Sequence, residues 1–322
     1  MAGKWHFAFC IDEKYAQYAS VCIRSILMHN TKQELHIHIL SDHLTEQAIK
    51  RLCEASESER CEITFHHINE QELNGLPLSI WPIQAWYRIL LPDILSSEID
   101  RVLYLDCDTL VLSDLSELFD LDLSDKAFAA VEDPQSFKDE TYERCNYPKS
   151  FKYVCSGVML FNLSYWRKHD LKNRIIIVAN KYKQSIKFPD QDCLNMLCHN
   201  TKFVLPLNYG IMHWFFQDTA LRNCLSPNEL LECLRNPQIV HFASCAPWIK
   251  ELRPSLFSDE WDKINRSMKH PAKVRYRISG MQFIKMIMYQ ILHPIKTYRK
   301  RAQIIDIRTA NNIVNKLIES NI

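Results

Sequence analysis

Between residue 6 and about residue 205, short apolar runs alternate with segments of helical period. His6–Ile11 is an apolar run of strand length, and Tyr18–Met28 after it repeats apolar residues at helical spacing. The pairing recurs: Glu34–Leu40 predicts a strand and Thr45–Ala55 a helix, then Glu62–His67 a strand and Ile80–Leu91 a helix. Arg101-Val102-Leu103-Tyr104-Leu105 predicts one more strand, flanked by charge. Strands that alternate with helices are joined by crossovers, which place helices on both faces of a mostly parallel sheet. The expected fold class is therefore α/β with a mostly parallel mixed sheet. Such sheets bind ligands beyond the carboxyl ends of their strands, and that edge is where chemistry is expected.

Composition narrows the class. Hydrophobic residues are 47% of 322, enough for a substantial core, and the formal net charge of +1 dictates no acidic or basic partner. Only 5 glycines, no low-complexity tract and no internal repeat argue for a folded, enzyme-sized protein. The 12 cysteines include no C-x-x-C pair and no even framework, which excludes a paired-cysteine zinc site and favours reduced thiols in the cytoplasm. Lys4–Ile11 is too short for a signal peptide, and no run approaches the roughly 18–20 apolar residues of a spanning helix. A protein that is neither exported by that route nor integral to a membrane is expected.

Three constellations carry chemistry. Asp106-Cys107-Asp108 follows directly on the strand that ends at Leu105, so two carboxylates at i and i+2 leave a strand end together. Such a pair suits a hard cation, Mn²⁺ or alternatively Mg²⁺, although most D-x-D triplets are solvated loop acids. His241 closes the short apolar run Gln238-Ile239-Val240; a histidine there is commonly a hydrogen-bonded core residue, but its imidazole also fits as a third ligand. Pro189-Asp190-Gln191-Asp192-Cys193-Leu194-Asn195 carries proline and acids suited to a helix first turn, and equally a carboxylate and an amide that can face a sugar.

The order of these segments resembles a known family. Leu103–Asp108, then Cys155-Ser156-Gly157-Val158-Met159-Leu160-Phe161-Asn162-Leu163, then Asp190–Asn195, then His241-Phe242 with Pro247-Trp248 are similar to the motifs of the retaining glycosyltransferases of family 8. That family includes bacterial lipopolysaccharide galactosyl- and glucosyltransferases and glycogenin. The resemblance spans roughly residues 6–250 and implies a nucleotide-sugar-binding GT-A fold. It implies a hexosyltransferase that moves galactose or glucose from a UDP-sugar to a glycan or lipid-linked acceptor, in lipopolysaccharide or other surface-glycan synthesis. Asp106, Asp108 and His241 would hold Mn²⁺ against the diphosphate. Cys10, Ile11, Asp12, Arg88, Cys107, Ser156, Gly157 and Ser244 would contact the donor, and Asp133, Asp190 and Gln191 would line the donor sugar. Transfer would proceed with retention through an oxocarbenium-like state, with same-face attack and Gln191 as a stabiliser opposite.

The chain also departs from the family. The usual final motif has a glycine where Ser244 stands and a lysine where Ala246 stands, immediately before Pro247-Trp248. Loss of a charge-assisted phosphate contact costs on the order of 1.5–3 kcal/mol, and Lys250 is the candidate replacement. Cys155 likewise stands where relatives often carry asparagine. These departures motivate a second hypothesis, a catalytically inactive protein that binds a UDP-sugar or a partner. A nucleotidyltransferase, the third, would need a Gly-rich phosphate loop that Cys10–Tyr15 lacks.

The last segment differs in character. Residues 263–302 hold eleven Lys or Arg and no Asp or Glu, interleaved with the apolar stretch Met281–Tyr289. We expect a catalytic domain at 1–255 and a basic amphipathic helical tail at 256–322, which attaches to the inner face of the cytoplasmic membrane. No nucleic-acid fold signature accompanies the charge, so nucleic acid is not an expected partner.

Overall fold

The computed structural model describes residues 3–217, 224–250 and 255–275. In chain order its elements are β1 (Trp5–Cys10), α1 (Ala16–His29), β2 (Leu35–Ser41), α2 (Glu46–Ala55), β3 (Cys61–His67), α3 (Gln84–Tyr87), α4 (Leu91–Ile94), β4 (Arg101–Leu105) and β5 (Thr109–Val111). There follow α5 (Ser116–Phe119), β6 (Phe128–Glu132), α6 (Asp139–Arg144), β7 (Val154–Asn162), α7 (Leu163–Lys168), α8 (Leu171–Lys181), α9 (Pro189–Cys198) and β8 (Lys202–Leu205). The last are β9 (Ile211–Met212), α10 (Trp214–Gln217), α11 (Pro227–Arg235), β10 (Ile239–His241) and α12 (Ser258–Ser267).

Seven strands form one sheet in the order β3-β2-β1-β4-β7-β6-β8. β7 pairs antiparallel with both β4 and β6, while the other pairings are parallel. The carboxyl ends of β1, β4 and β6 therefore reach the same edge as the amino end of β7. Alternation along β1 sends Phe7, Phe9 and Ile11 into the core layer under α1 and α2, and Ala8 and Cys10 into the layer on the other face. A three-stranded sheet, β5-β10-β9, stands beside the main one. It is tied to α1, because Ser25 Oγ accepts from Val111 N–H at 3.0 Å and Asn30 Oδ1 from Leu115 N–H at 2.9 Å.

The first four strands and the first two helices lie where the sequence pattern predicts them. The helix expected at Ile80–Leu91 instead begins at Gln84 and tightens to a 3₁₀ turn over Arg88–Leu90. Pro92 has no N–H to give the Arg88 carbonyl, which accepts from Leu91 N–H instead, and the turn narrows there.

Residues 255–275 pack against the body. Leu256, Trp261, Ile264 and Ala272 belong to the core layer that holds α1, and Arg275 N–H donates to the Trp248 carbonyl at 2.8 Å. This packing continues beyond the expected boundary at residue 255, and the remainder of the basic segment, 276–322, lies outside the described residues. Among the described residues no helix is long and apolar enough to cross a membrane. All twelve cysteines are free.

Candidate active site

The turn after β4 builds the floor of the site. Thr109 N–H and its hydroxyl both donate to the Asp106 carbonyl, at 3.2 and 2.8 Å, closing a tight turn over Asp106-Cys107-Asp108. Cys107 is buried in the core, and the two aspartates line a cavity of about 480 Å³. The third member arrives from over a hundred residues away. β10 pairs antiparallel with β5, setting His241 opposite Thr109, and Phe242 N–H donates to the Asp108 carbonyl at 2.8 Å. His241 Nε2 then lies 3.4 Å from Asp108 Oδ1 and 3.7 Å from Asp106 Oδ2.

The other ring nitrogen of His241 faces Cys155 Sγ at 3.5 Å. Burial opposes charge on this imidazole, yet Cys155 and Asp108 beside it push its pKa well above the ordinary value. The three candidate ligand atoms all lie within 4.8 Å of one another. Gly157 leaves the room they occupy: a Cβ there would meet His241 Cε1 at 2.3 Å and Asp106 Oδ2 at 2.7 Å. Two carboxylates and one imidazole around a gap that a methyl group would fill fit a divalent cation.

Arg88 braces this floor. It is buried in the narrow turn after α3; Nη2 lies 3.1 Å from Asp106 Oδ1, Nε lies 3.2 Å from Asp190 Oδ2, and Nη1 donates to the Ser156 carbonyl. Tyr104 OH donates to the same Asp106 Oδ1 at 2.6 Å, so Oδ1 is held while Oδ2 faces His241. Asp190 and Gln191 occupy the first turn of α9, which Pro189 starts. Gln191 Oε1 accepts from Ser156 N–H at 3.0 Å, fixing the amide against the amino end of β7. Asp133, at the end of β6, accepts from Gln135 N–H at 2.8 Å. Burial raises the pKa of both Asp133 and Asp190; the Gln135 N–H opposes it in the first case and Arg88 in the second.

Arg88, Asp106, Asp108, Asp133, Ser156, Gly157, Asp190, Gln191, His241 and Ser244 all line the cavity. Ser244 holds φ 67°, the left-handed conformation that favours glycine. Cys10, Ile11, Asp12, Cys107 and Lys250 do not line it. Ile11 is buried and donates its N–H to Leu40. Asp12 caps the approach to α1 by accepting from Tyr15 N–H at 2.9 Å. Lys250 bonds through its backbone N–H to the Arg275 carbonyl at 3.0 Å, and Ala246 is buried.

Sequence reasoning missed the supports. Asp192 is fully buried; it holds Arg144, accepts from Tyr153 OH at 2.6 Å and takes the N–H groups of Lys187 and Phe188 at 2.8 and 2.9 Å. Asn195 brackets Val154, donating to its carbonyl at 2.8 Å and accepting its N–H at 2.9 Å. Lys202 donates to Asn195 Oδ1 at 2.9 Å, and burial lowers its pKa to about 7. The mouth carries Trp81, Phe188, Trp214 and Lys138. Asp192 and Asn195 sit inside a motif already singled out; nothing in the local pattern marks the others.

The seven-stranded sheet with a cleft beyond the carboxyl ends of β1, β4 and β6 defines a GT-A type of architecture. A solved galactosyltransferase, LgtC in complex with donor and acceptor sugar analogues, matches 82% of this chain and 96% of its own with a TM-score of 0.73 and 24% identity, which establishes the shared GT-A fold. The model of glycosyl transferase family 8 matches residues 6–251, and the chain belongs to that family. Among curated relatives, an Escherichia coli lipopolysaccharide 1,2-glucosyltransferase is 34% identical over 63% of this chain and 61% of its own length. General stress protein A of Bacillus subtilis (strain 168) is 28% identical over 84% of this chain and 91% of its own.

Proposed function

We propose that this chain is a retaining hexosyltransferase that takes galactose or glucose from a UDP-sugar and places it on a glycan acceptor in lipopolysaccharide or other surface-glycan synthesis. One observation carries this reading: Asp106, Asp108 and His241 converge on the floor of the same cleft whose walls present Asp133, Asp190 and Gln191. Mn²⁺ is the proposed ion, and bound there it would neutralise the charge that builds on a diphosphate leaving group.

The chain's own residues do the positioning. Arg88 is committed to Asp106, Asp190 and the Ser156 carbonyl, which makes it a brace for the site. Gln191, its amide anchored on Ser156, is the proposed stabiliser of an oxocarbenium-like centre, with Asp133 and Asp190 oriented on the donor sugar's hydroxyls. Trp81, Phe188 and Trp214 give the mouth apolar faces suited to a glycan acceptor. The basic segment beyond residue 275 is proposed to hold the enzyme at an anionic membrane surface, near a lipid-linked acceptor.

The direct test is UDP release from a panel of UDP-sugars, with and without Mn²⁺, by wild type and Asp108→Ala. Hydrolysis of one donor that needs the ion and falls ~100-fold or more in the variant is expected. Donor turnover equal in both proteins would overturn the assignment. UDP binding with Mn²⁺, seen as a raised Tm, but no turnover of any donor with glycan acceptors present would instead identify a binding protein.

A further inference from the structure

A second cluster of metal-ligand side chains lies away from the cleft, toward the amino ends of the central strands. His6 on β1 is the register partner of His36 on β2, and His38 follows two residues on, so all three rings share one face of the sheet. None of them lines the donor cavity. One nitrogen from each lies within 4.8 Å of the other two. His6 Nδ1 and His38 Nε2 are 3.0 Å apart, close to the separation of two ligand atoms on a tetrahedral ion with metal–nitrogen bonds of about 2.0–2.1 Å.

We propose that His6, His36 and His38 form a second metal site, one that takes a borderline divalent ion such as Zn²⁺, Cu²⁺ or Ni²⁺.

The outer partners favour this use of the rings. His38 Nδ1 lies 3.1 Å from His66 Nε2, and donation to His66 fixes the tautomer that turns the Nε2 lone pair of His38 toward His6. His36 Nε2 lies 2.8 Å from Thr64 Oγ1, and donation there leaves its Nδ1 as the acceptor. Glu62 Oε2 lies 3.5 Å from that nitrogen and places a carboxylate beside the cluster, its Oε1 paired with Lys4 Nζ at 2.8 Å. On binding, the ion replaces the His6–His38 hydrogen bond, and the proton that bond holds moves to the opposite nitrogen of the same ring. Imidazole ligands select against the hard Mn²⁺ that suits Asp106 and Asp108. The ion would clamp β1 to β2.

The test uses the full chain carrying Asp108→Ala, so that the cleft site is disabled. Zn²⁺ titrated calorimetrically should bind at one equivalent and raise Tm. Adding His6→Gln and His36→Gln should weaken that binding by ~100-fold or more. As a check that does not depend on the histidine variants folding, Cu²⁺ bound to the Asp108→Ala chain should show hyperfine coupling to several nitrogens by electron paramagnetic resonance. Zn²⁺ affinity unchanged by the histidine substitutions, no stoichiometric binding, or a Cu²⁺ spectrum with oxygen ligands alone would each overturn the proposal.

Discussion

At Gly157, the 2.3 Å approach of an added Cβ to His241 Cε1 and 2.7 Å to Asp106 Oδ2 leaves no room for even alanine. The backbone there is extended in β7, so the requirement is for space and not for a left-handed φ. Gly157→Ala should push the imidazole off Asp106 and Asp108 while the strand keeps its pairing with β4. Metal-stimulated UDP release should fall ~100-fold with Tm changed by only a few degrees. Full activity in this variant would show that His241 does not need its present place. Ser244 is the contrasting case, because its left-handed backbone is kept despite a side chain that disfavours it.

At the scale of elements, α9 is the hinge pin of the site. Its first turn presents Asp190 and Gln191 to the cleft, and Asp192 in the same turn faces inward to Arg144 on α6 and to Tyr153 before β7. One helix start thereby anchors the 134–153 connection that forms a cleft wall. Asp192 is wholly buried, so removing its charge strands Arg144, and Asp192→Ala should cost about 3–5 kcal/mol in urea denaturation. A loss below about 1 kcal/mol would mean the pair is replaceable by water. The same element logic explains Pro247-Trp248: Trp248 stacks on Tyr18 of α1 at 3.8 Å between ring centroids, which fastens the segment after His241 to the first helix.

For the whole molecule, the packing of α12 and the strand-like contact of Arg275 with Ile249 join residues 255–275 to the body, leaving the later basic stretch as the proposed membrane contact. Full-length protein should sediment with vesicles rich in anionic lipid and not with neutral ones. Replacing Lys296, Arg299 and Lys300 together by glutamate should lose about 1 kcal/mol per neutralised charge, and more on reversal. Equal sedimentation of variant and wild type would defeat the membrane role. Salt dependence provides a parallel reading, since screening shortens the reach of exposed charge.

Much of this protein was legible along the chain because the relevant signals are local. Apolar period placed the first strands and helices; two acids just past a strand end located the cleft floor; four motifs in order implied the family. Local pattern also failed where a local cause was subtle, as when Pro92 starved the Arg88 carbonyl and tightened a helix expected to be regular. What only the tertiary structure decided is which distant residues meet. Strand pairing between β5 and β10 set His241 beside Asp108, and the reversed direction of β7 brought Ser156 and Gly157 to the edge where β4 ends. The supports Asp192, Asn195 and Lys202 are chosen by burial, which the chain does not announce in any short window. Local periodicity records which side of an element faces inward; the identity of the neighbour is settled only when the sheet is assembled.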